Sequence, residues 1–414
     1  MRRLKKPPRA PDAEATRTAE AGEVILRVCR DPAEIDAAAW NALVAAQASA
    51  TPFVSIEYLR ALHASASAVA ETGWAPHFLL LEERGVLCAA CPLYLKDHSY
   101  GEYVFDWAWA DAYRRHGLDY YPKLTGAVPF TPVPGPRLLA RTHEHRLLLL
   151  AAIERIARSA DLSSAHLLFL DEPDQAAARE AGWSMRSTVQ FHWHNRTPGR
   201  YVDFADFLAS LQRDKRKKIQ QERRRVAEAG VTFTTATGDD IGAADWNFFY
   251  RCYTLTYRAH HSTPYLTRDF FARAAKTMAE NWLLFTAWRG GQRIASSLIA
   301  IDPVRKAAFG RYWGAIEHVN CLHFDACYYA PLAWCIAQGY ERFEGGAQGE
   351  HKMARGLLPV ETHSAHWLAH PQFAKAIDDF LEREGAGVAL YLSELNDRLP
   401  VSYTHLTLPT KRIV

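Results

Sequence analysis

The stretch PFVSIEY, residues 52–58, returns about two hundred residues later in the chain as PYLTRDF, residues 264–270. Each copy places a hydroxyl side chain, Ser55 or Thr267, where a helix cap is expected, followed by an acid and then an aromatic residue. Three more pairs of segments repeat at a similar spacing: residues 34–41 and 240–247, residues 79–85 and 283–290, and Trp109 with Leu118 against Trp313 with Leu322. Chance similarity would not easily keep this spacing through four matches, so we predict a tandem duplication.

Apolar periodicity predicts the same order of elements in both halves, β-α-α-β-β-β-α-β-α-β. The predicted strands of the first half are residues 24–29, 77–81, 86–95, 103–109, 166–170 and 187–193. The chain is divided accordingly into a disordered tail (1–23), a first domain (24–200), basic linking helices (201–230), a second domain (231–398) and a final tail (399–414). From residue 401 the sequence resembles translated sequencing-adapter code, so we exclude it from the fold.

The composition is that of a globular protein large enough for two domains, with 414 residues, 49% hydrophobic and 23% charged. A net charge of +3 leaves room for one local basic patch but does not indicate a polyanionic partner. Seven scattered cysteines, an odd number, favour reduced thiols in a cytoplasm over a disulfide framework. No stretch of about 18 uninterrupted apolar residues occurs, so no membrane-spanning helix is expected.

Residues 213–225, RDKRKKIQQERRR, form a strongly basic segment with eight basic and two acidic residues. Ile219 and Val226, seven positions apart, leave one narrow apolar face for packing. One interpretation is a solvated linker helix. The other is a groove wall that binds phosphates of RNA or of a diphosphate-linked substrate. The residues proposed for such contacts are Lys215, Arg216, Lys217 and Arg223.

A dense run of polar residues follows a short apolar strand and the Gly345-Gly346 turn. The run supplies an amide, an acid, an imidazole, an ammonium and a guanidinium, from Gln348, Glu350, His351, Lys352 and Arg355. Such groups crowded at the end of a strand are the parts of a polar active site. A solvated loop before a helix is the simpler alternative.

Several longer motifs occur together and in order: WAWADAYRRHGLDYYPKL (107–124), KRKKIQQERRRVAEAGV (215–231), PYLTRDFF (264–271), GRYWGA (310–315) and GGAQGEHKMARG (345–356). With the repeated element order, they resemble the FemAB-like predicted N-acyltransferases, relatives of the bacterial Fem-type aminoacyltransferases. The resemblance covers about residues 25–398. It implies an α/β fold of two tandem GNAT-like domains, each a mixed, mostly antiparallel sheet flanked by helices.

The resemblance also implies a cytoplasmic enzyme that transfers an acyl or aminoacyl group to an amine acceptor in peptidoglycan or cell-envelope precursor metabolism. The donor is then a co-substrate, an aminoacyl-tRNA, an acyl carrier protein or an acyl-CoA, with no tightly bound cofactor. Acetyl-CoA-dependent relatives carry a Q/R-x-x-G-x-G/A loop that binds pyrophosphate. The equivalent residues 112–117 and 315–320 lack that glycine pattern, which argues against a standard coenzyme A cradle without excluding an unusual one.

Residues 309–314 are the predicted fourth strand of the second half. Strand alternation predicts Arg311 and Trp313 on one face and Tyr312 on the other. An arginine in a buried strand is either a contact for a substrate anion or the partner of a carboxylate. The expected structural partner is Asp325 on the following helix, with His323 beside it.

The candidates for the catalytic base are Glu350 and His351. The ordinary pKa of histidine suits proton transfer at neutral pH, and partial burial raises the pKa of a glutamate into that range. A structural histidine is the alternative for His351. Tyr265 and Arg268 are expected to border the acceptor groove, although Tyr265 repeats the core residue Phe53. No metal site is predicted from the histidines of residues 363–370, because His363 and His366 point to opposite faces of a strand. A non-catalytic phosphate- or RNA-binding module is the rival function.

Overall fold

The computed structural model describes residues 24–346 and 349–400. The predicted N-terminal tail, the candidate substrate contact Gln348 and the tail from residue 401 lie outside the described residues.

The first half alternates short strands with helices. Its elements are β1 (Val24–Cys29), α1 (Ala37–Ala45), α2 (Ile56–Ala64), β2 (Ala75–Pro76), β3 (Phe78–Glu83), β4 (Val86–Cys91), β5 (Leu93–Lys96), α3 (Trp107–Arg115), β6 (Lys123–Gly126), β7 (Leu139–Ala140), α4 (His143–Ser159), β8 (Ser164–Leu170), α5 (Glu172–Glu180) and β9 (Ser184–His194).

Two helices then connect the halves, and the second half follows. The elements are α6 (Phe204–Ser210), α7 (Arg213–Glu228), β10 (Val231–Thr237), α8 (Ala243–Ala259), α9 (Arg268–Thr277), β11 (Trp282–Arg289), β12 (Gln292–Asp302), β13 (Ala307–Ala315), α10 (Leu322–Phe324), a π-helical turn (Asp325–Tyr329), α11 (Ala330–Ala337), β14 (Arg342–Glu344), a 3-10 helix (Glu350–Arg355), β15 (Leu358–Leu368) and α12 (Pro371–Asp397).

Repeated residues take matching places in the two halves. Ser55 caps α2 by accepting a hydrogen bond from the Tyr58 backbone N–H, and Thr267 caps α9 in the same way through Phe270. Helices α2 and α9 pack against each other, where Thr267 Oγ1 donates to the backbone carbonyl of Ser65 at 3.1 Å. The repeated stretches thus meet at the boundary between the halves.

The strands form two sheets, and the larger one runs through both halves. The smaller sheet has the order β1-β3-β4-β7, and the larger has the order β10-β11-β12-β13-β14-β9-β15-β8-β6-β5-β2. Pro92 separates β4 from β5. Proline has no N–H for the strand ladder, and the predicted single strand 86–95 divides here between the two sheets.

The final strands of the two halves are exchanged at the centre of the larger sheet. Strand β9 of the first half pairs with β14 of the second, and β15 of the second half pairs with β8 of the first. Between them, β9 and β15 pair along nine positions in antiparallel register. Thr188 faces Thr362 in this pairing, and their hydroxyl oxygens lie 2.8 Å apart. This exchange joins strands of both halves in the larger sheet.

Strands β11 and β12 of the second half are covered on both faces. On one face, Leu284 and Leu298 pack in a core shared with the first half and with α8 and α9. On the other face, Phe285 and Ile299 pack with α11 and α6. Apolar runs in β11 and β12 match this burial on both sides.

The predicted strand 103–109 is wrong, because the chain forms helix α3 from Trp107 instead. Trp109 and Tyr113, four residues apart, are buried while their neighbours are mostly exposed, which is helical spacing. Trp109 is therefore on a helix, whereas Trp313 is on strand β13. The predicted repeat of Trp109 as Trp313 thus does not relate equivalent positions of the two halves. Within the described part of the chain, no helix is both long and apolar enough to span a bilayer.

Candidate active site

Parallel strands β13 and β14 separate in the second half just before the predicted polar loop. They pair at three positions, ending at Phe309 and Glu344, and the chain then turns at Gly345-Gly346. A Cβ built at Gly346 would lie 3.8 Å from the Gly310 carbonyl oxygen, and the φ angle of Gly346 is +85°. Glycine permits that backbone conformation. The turn lies directly beside β13.

Lys352 is buried beneath this turn. The residue is only 3% exposed, and its Nζ donates to the Gly346 carbonyl at 2.9 Å. Burial lowers the pKa of Lys352 to about 8. A buried ammonium destabilises a fold, and a pKa lowered into this range is typical of functional sites.

His351 is exposed beside Lys352. Its Nε2 lies 3.3 Å from the hydroxyl oxygen of Tyr328. Partial burial, followed by the charges of Arg355 and Lys352, lowers the pKa of His351 below its ordinary value. Burial raises the pKa of the Tyr328 hydroxyl. At neutral pH the imidazole is therefore free to accept a proton, while the phenol keeps its own.

Arg355 connects the loop to helix α7. It is 2% exposed, and its Nη2 donates to Glu222 Oε2 at 3.1 Å. The Tyr329 hydroxyl donates to the same carboxylate, and the guanidinium lies 3.5 Å from the ring centroid of Phe324. Arg355 is thus part of a buried, fully oriented ion pair that fixes the loop against the basic helix.

The π-helical turn brings further predicted residues to this place. Asp325 pairs with Arg223 of α7 at 3.3 Å, and burial raises the pKa of Asp325 to about 6. The predicted pairing of Asp325 with Arg311 is therefore wrong. His323 is exposed, and its ring lies 5.5 Å from that of Trp313 and 5.8 Å from that of Tyr328.

These residues form one group, called here the loop cluster. Its members are His323, Tyr328, His351, Lys352 and Arg355. It presents two accessible imidazoles above two buried cations.

Arg311 lies on the opposite face of β13 from the loop cluster. The pairing of β12 with β13 shifts register between Leu298 and Ile299 and leaves Arg311 without a cross-strand partner, which is a β-bulge. The extra residue turns Arg311 and Tyr312 to the same face, where Arg311 Nη2 donates to the Tyr312 hydroxyl at 3.0 Å. The predicted alternation is wrong at this point, and Trp313 alone lies on the face of the loop cluster.

The remaining predicted residues lie elsewhere or at the edge. Exposed Glu350 accepts a hydrogen bond from the Tyr391 hydroxyl at 2.6 Å. Tyr265 stacks on Phe130 with ring centroids 4.6 Å apart. Arg268 is exposed and donates to the side chain of Asn247.

The basic residues at the start of α7 face outward. Lys215 Nζ lies 3.2 Å from Asp214 Oδ2, and Arg216 Nη1 donates to the Ala209 carbonyl at 3.3 Å. Lys217 is exposed. Of the four predicted phosphate contacts, Arg223 alone reaches the neighbourhood of the loop cluster, through Asp325.

Two buried acids near the site are absent from the sequence prediction. Glu344 is 3% exposed, lies 3.2 Å from Arg342, and has a pKa raised to about 7 by burial. Its sequence signal is an acid inside an apolar strand, directly before two glycines. Glu222 is the second, an acid within a basic run at helical spacing from Ile219 and Val226.

Comparison with known proteins gives the family. The FemAB_like family model, described as peptidoglycan biosynthesis/recognition, matches residues 31–403. The chain belongs to the FemAB-like family. No curated protein sequence matches it. Within the described residues, no group of three or more His, Cys, Asp or Glu side chains is arranged to hold a metal ion.

Three solved structures share the fold of this FemAB-like protein at low sequence identity. FemX is 10% identical with a TM-score of 0.53, covering 86% of this chain and 100% of its own. L-PGS from Bacillus licheniformis is 10% identical with a TM-score of 0.51, covering 86% and 99%. The C-terminal domain of a putative lysylphosphatidylglycerol synthetase from Agrobacterium fabrum is 13% identical with a TM-score of 0.50, covering 84% and 95%.

Proposed function

We propose that this FemAB-like protein transfers an acyl or aminoacyl group to an amine acceptor in cell-envelope precursor metabolism. The observation that carries the proposal is the loop cluster beside the point where β13 and β14 separate. There an accessible neutral imidazole, a protonated phenol and a buried ammonium converge in a chain whose family is described by peptidoglycan biosynthesis or recognition.

These groups match the needs of acyl transfer to nitrogen. The acceptor amine must lose a proton, and His351 accepts it in our proposal. Negative charge develops on the carbonyl oxygen of the acyl group, and Lys352 stabilises that charge from below the glycine turn. The Tyr328 hydroxyl, 3.3 Å from His351, orients the imidazole and gives a route for the proton to the leaving group.

The donor is proposed to reach this place from the side of α7. A pocket of about 420 Å³ lies between α7 and β10 and is lined by Arg223, Arg224 and Asp325 among others. Guanidinium groups beside an apolar floor suit the phosphate of an aminoacyl-tRNA, of an acyl carrier protein or of an acyl-CoA. The short helix α10 after β13 follows Cys321, whose φ is +67°, and has no side-chain cap.

A direct assay tests the proposal. The purified protein is incubated with each of the three donor classes and a panel of amines that includes amino acids, peptides and amino sugars, and products are read by mass spectrometry. The expected result is an acceptor whose mass rises by that of the acyl group, and its absence with all donors contradicts the proposal.

A non-catalytic phosphate-binding module is the second candidate. The exposed basic residues of α7, Lys217 among them, favour it. Salt-sensitive tRNA binding with no product in the same panel would support this module in place of a transferase.

A further inference from the structure

At the boundary between the halves, a chain of aromatic contacts is closed into a ring by Arg311. We call it the tyrosine basket, and its members are Phe130, Tyr253, Tyr257, Tyr265, Arg311 and Tyr312. The ring centroids of successive pairs lie 5.1 Å (Tyr312 and Tyr253), 4.9 Å (Tyr253 and Tyr257), 5.8 Å (Tyr257 and Tyr265) and 4.6 Å (Tyr265 and Phe130) apart. Arg311 closes the chain, since its Nη2 bonds to both the Phe130 carbonyl and the Tyr312 hydroxyl.

Among the described residues, the guanidinium of Arg311 forms no direct ion pair with an acid. Its described hydrogen bonds go to neutral oxygens, on Phe130, Thr131 and Tyr312. No carboxylate within residues 24–346 and 349–400 lies within 4.0 Å of it. Glu344, on the same side of the sheet, is paired with Arg342, and the charge of Arg311 acts on its pKa only from a longer distance. The Nε of Arg311 is shielded from solvent and has no hydrogen-bond partner there. A shielded guanidinium with no direct ion pair and an unpartnered N–H is costly to the fold, which favours an anionic ligand.

Part of the basket is open to solvent. Tyr257, Tyr265, Arg311 and Tyr312 are each partly exposed. Tyr103, from the first half, is also partly exposed, and its hydroxyl has no hydrogen bond to the described protein. Aromatic faces with phenol hydroxyls at their edges bind ligands that carry both apolar and polar groups.

We propose that the tyrosine basket binds the carboxylate of the acceptor, so that the acceptor is an amino acid or peptide with a free carboxyl group. One guanidinium flanked by phenol hydroxyls matches the single charge and two oxygens of a carboxylate. The rings pack against the body of the ligand. The proposal rests on the proposed function only in giving the ligand the role of acceptor, because binding itself needs no catalysis.

The position relative to the loop cluster fits this role. Arg311 follows Gly310, which lies beside the Gly345-Gly346 turn above Lys352. The two groups therefore flank the same segment of β13 from its two faces. A ligand held by its carboxylate at Arg311 extends along the unpaired edge of β13 toward the loop cluster.

The test compares carboxylates with their own amides by thermal shift. The probes are acetate, benzoate and alanyl-alanine, each measured against acetamide, benzamide and alanyl-alaninamide. We expect at least one carboxylate to raise the melting temperature while its amide does not. Arg311→Gln should remove that shift, and Arg311→Lys should weaken the affinity by about tenfold or more, since the planar two-pronged contact is lost.

Arg289→Gln is the matched control, because Arg289 is an exposed arginine paired with Glu317 at the far end of β11. It should leave the shift intact. Equal shifts with carboxylate and amide, no shift with any carboxylate, or a shift that persists in Arg311→Gln would each overturn the proposal. Inorganic phosphate is measured as a further probe, and a shift with phosphate but with no carboxylate would overturn the proposal and assign the basket to phosphate. If a carboxylate raises the melting temperature of the wild type but not of Arg311→Gln, carboxylate binding at the basket is supported even where the transfer assay yields no product. A failure of this proposal is therefore distinguishable from a failure of the proposed function.

Discussion

Glu350 and His351 are neighbours in sequence, but they have different surroundings. Exposed Glu350 is bonded to Tyr391 on α12, whereas His351 contacts Tyr328 within the loop cluster. We therefore predict that His351→Ala lowers turnover by roughly 10²- to 10⁴-fold, the usual size of general base catalysis. Glu350→Gln should keep turnover within a few-fold of the wild-type rate.

Both variants should melt close to the wild-type temperature, because both side chains are exposed. Rate and melting temperature are measured side by side. A His351→Ala protein with normal turnover would assign His351 a structural role and move the base to His323.

The lowered pKa of Lys352 predicts that the rate falls at alkaline pH. The proposed role needs the ammonium, and its pKa is about 8, so turnover should fall as the pH rises through 8. On the acid side the rate should fall as His351 is protonated, and because the pKa of His351 is lowered, the midpoint of that fall should lie below the ordinary value for histidine. Arg keeps its charge at these pH values, so any activity remaining in Lys352→Arg should lose the alkaline limb. An unchanged alkaline limb would exclude Lys352 as its source.

The same lowered pKa predicts that the stability of the fold rises with pH while the rate falls. Its pKa is lowered from 10.5 in the unfolded chain to about 8 in the fold, so the cost of burying the ammonium is fully present below pH 8. That cost disappears as the pH rises toward 10.5, and stability should rise in that window. Lys352→Met should raise the free energy of unfolding at pH 7 by about 1 to 3 kcal/mol while turnover falls. Denaturant unfolding measures it, and a destabilised Lys352→Met would contradict the account.

At the scale of elements, α7 combines a buried anchor with an exposed basic face. The Glu222 carboxylate balances Arg355, so Glu222→Gln leaves a buried guanidinium unpaired and should destabilise the fold by about 3 kcal/mol or more. Lys217→Gln on the exposed face is the control and should change stability by less than about 0.5 kcal/mol. Equal stability of the two variants in urea would show that the ion pair does not hold the helix.

The exposed face of α7 gives a separate prediction about salt. If Lys215 and Lys217 contact phosphates, replacing both with glutamine should flatten the slope of log affinity against log salt for tRNA. The change should be about 0.7 to 0.9 for each contact. Fluorescence titrations over a range of KCl concentrations measure the slope. An unchanged slope would return this face to the simpler interpretation of a solvated helix.

Elements with a strong local pattern could be predicted, and those shaped by tertiary contacts could not. The caps at Ser55 and Thr267 depend on a few neighbouring residues, and both helices begin where expected. The bulge at Arg311 depends on the register of β12, which no local pattern reveals. Helix α3 was missed because the apolar residues of 103–109 read equally well as a strand, and only the Trp109 and Tyr113 spacing favours a helix.

The candidate site follows the same division. One polar run after two glycines predicts Gln348, Glu350, His351, Lys352 and Arg355. Of these, His351, Lys352 and Arg355 lie in the loop cluster, whereas Glu350 accepts a hydrogen bond from Tyr391. Arg311 and Asp325 were expected to pair but lie on opposite faces of β13, because pairing across elements depends on packing rather than spacing. Glu222 joins the cluster through a fold contact 133 residues away in sequence.

At the scale of the whole molecule, the exchanged strands couple the halves. Strand β15 of the second half pairs with β8 and β9 of the first. Each half therefore depends on strands of the other half to complete its hydrogen bonding. The repeat predicted two similar units but not this exchange, because a sequence match carries no information about which copy a strand pairs with. The domain boundaries at 200 and 231 stay a proposal.

The exchange predicts one cooperative unfolding transition. Urea unfolding followed by tryptophan fluorescence and by far-ultraviolet circular dichroism should give coincident midpoints. Two separated transitions, one for each half, would contradict the coupling through β9 and β15.

The central claim is acyl transfer at the loop cluster, and one measurement tests it most directly. Wild-type protein and His351→Ala are incubated in parallel with aminoacyl-tRNA, acyl carrier protein and acyl-CoA donors and a mixture of amine acceptors, and mass spectrometry follows the acceptors. The account predicts an acceptor heavier by one acyl group with the wild type, formed at least about 100-fold more slowly by His351→Ala. No acylated acceptor with any donor, or equal rates for the two proteins, would contradict it.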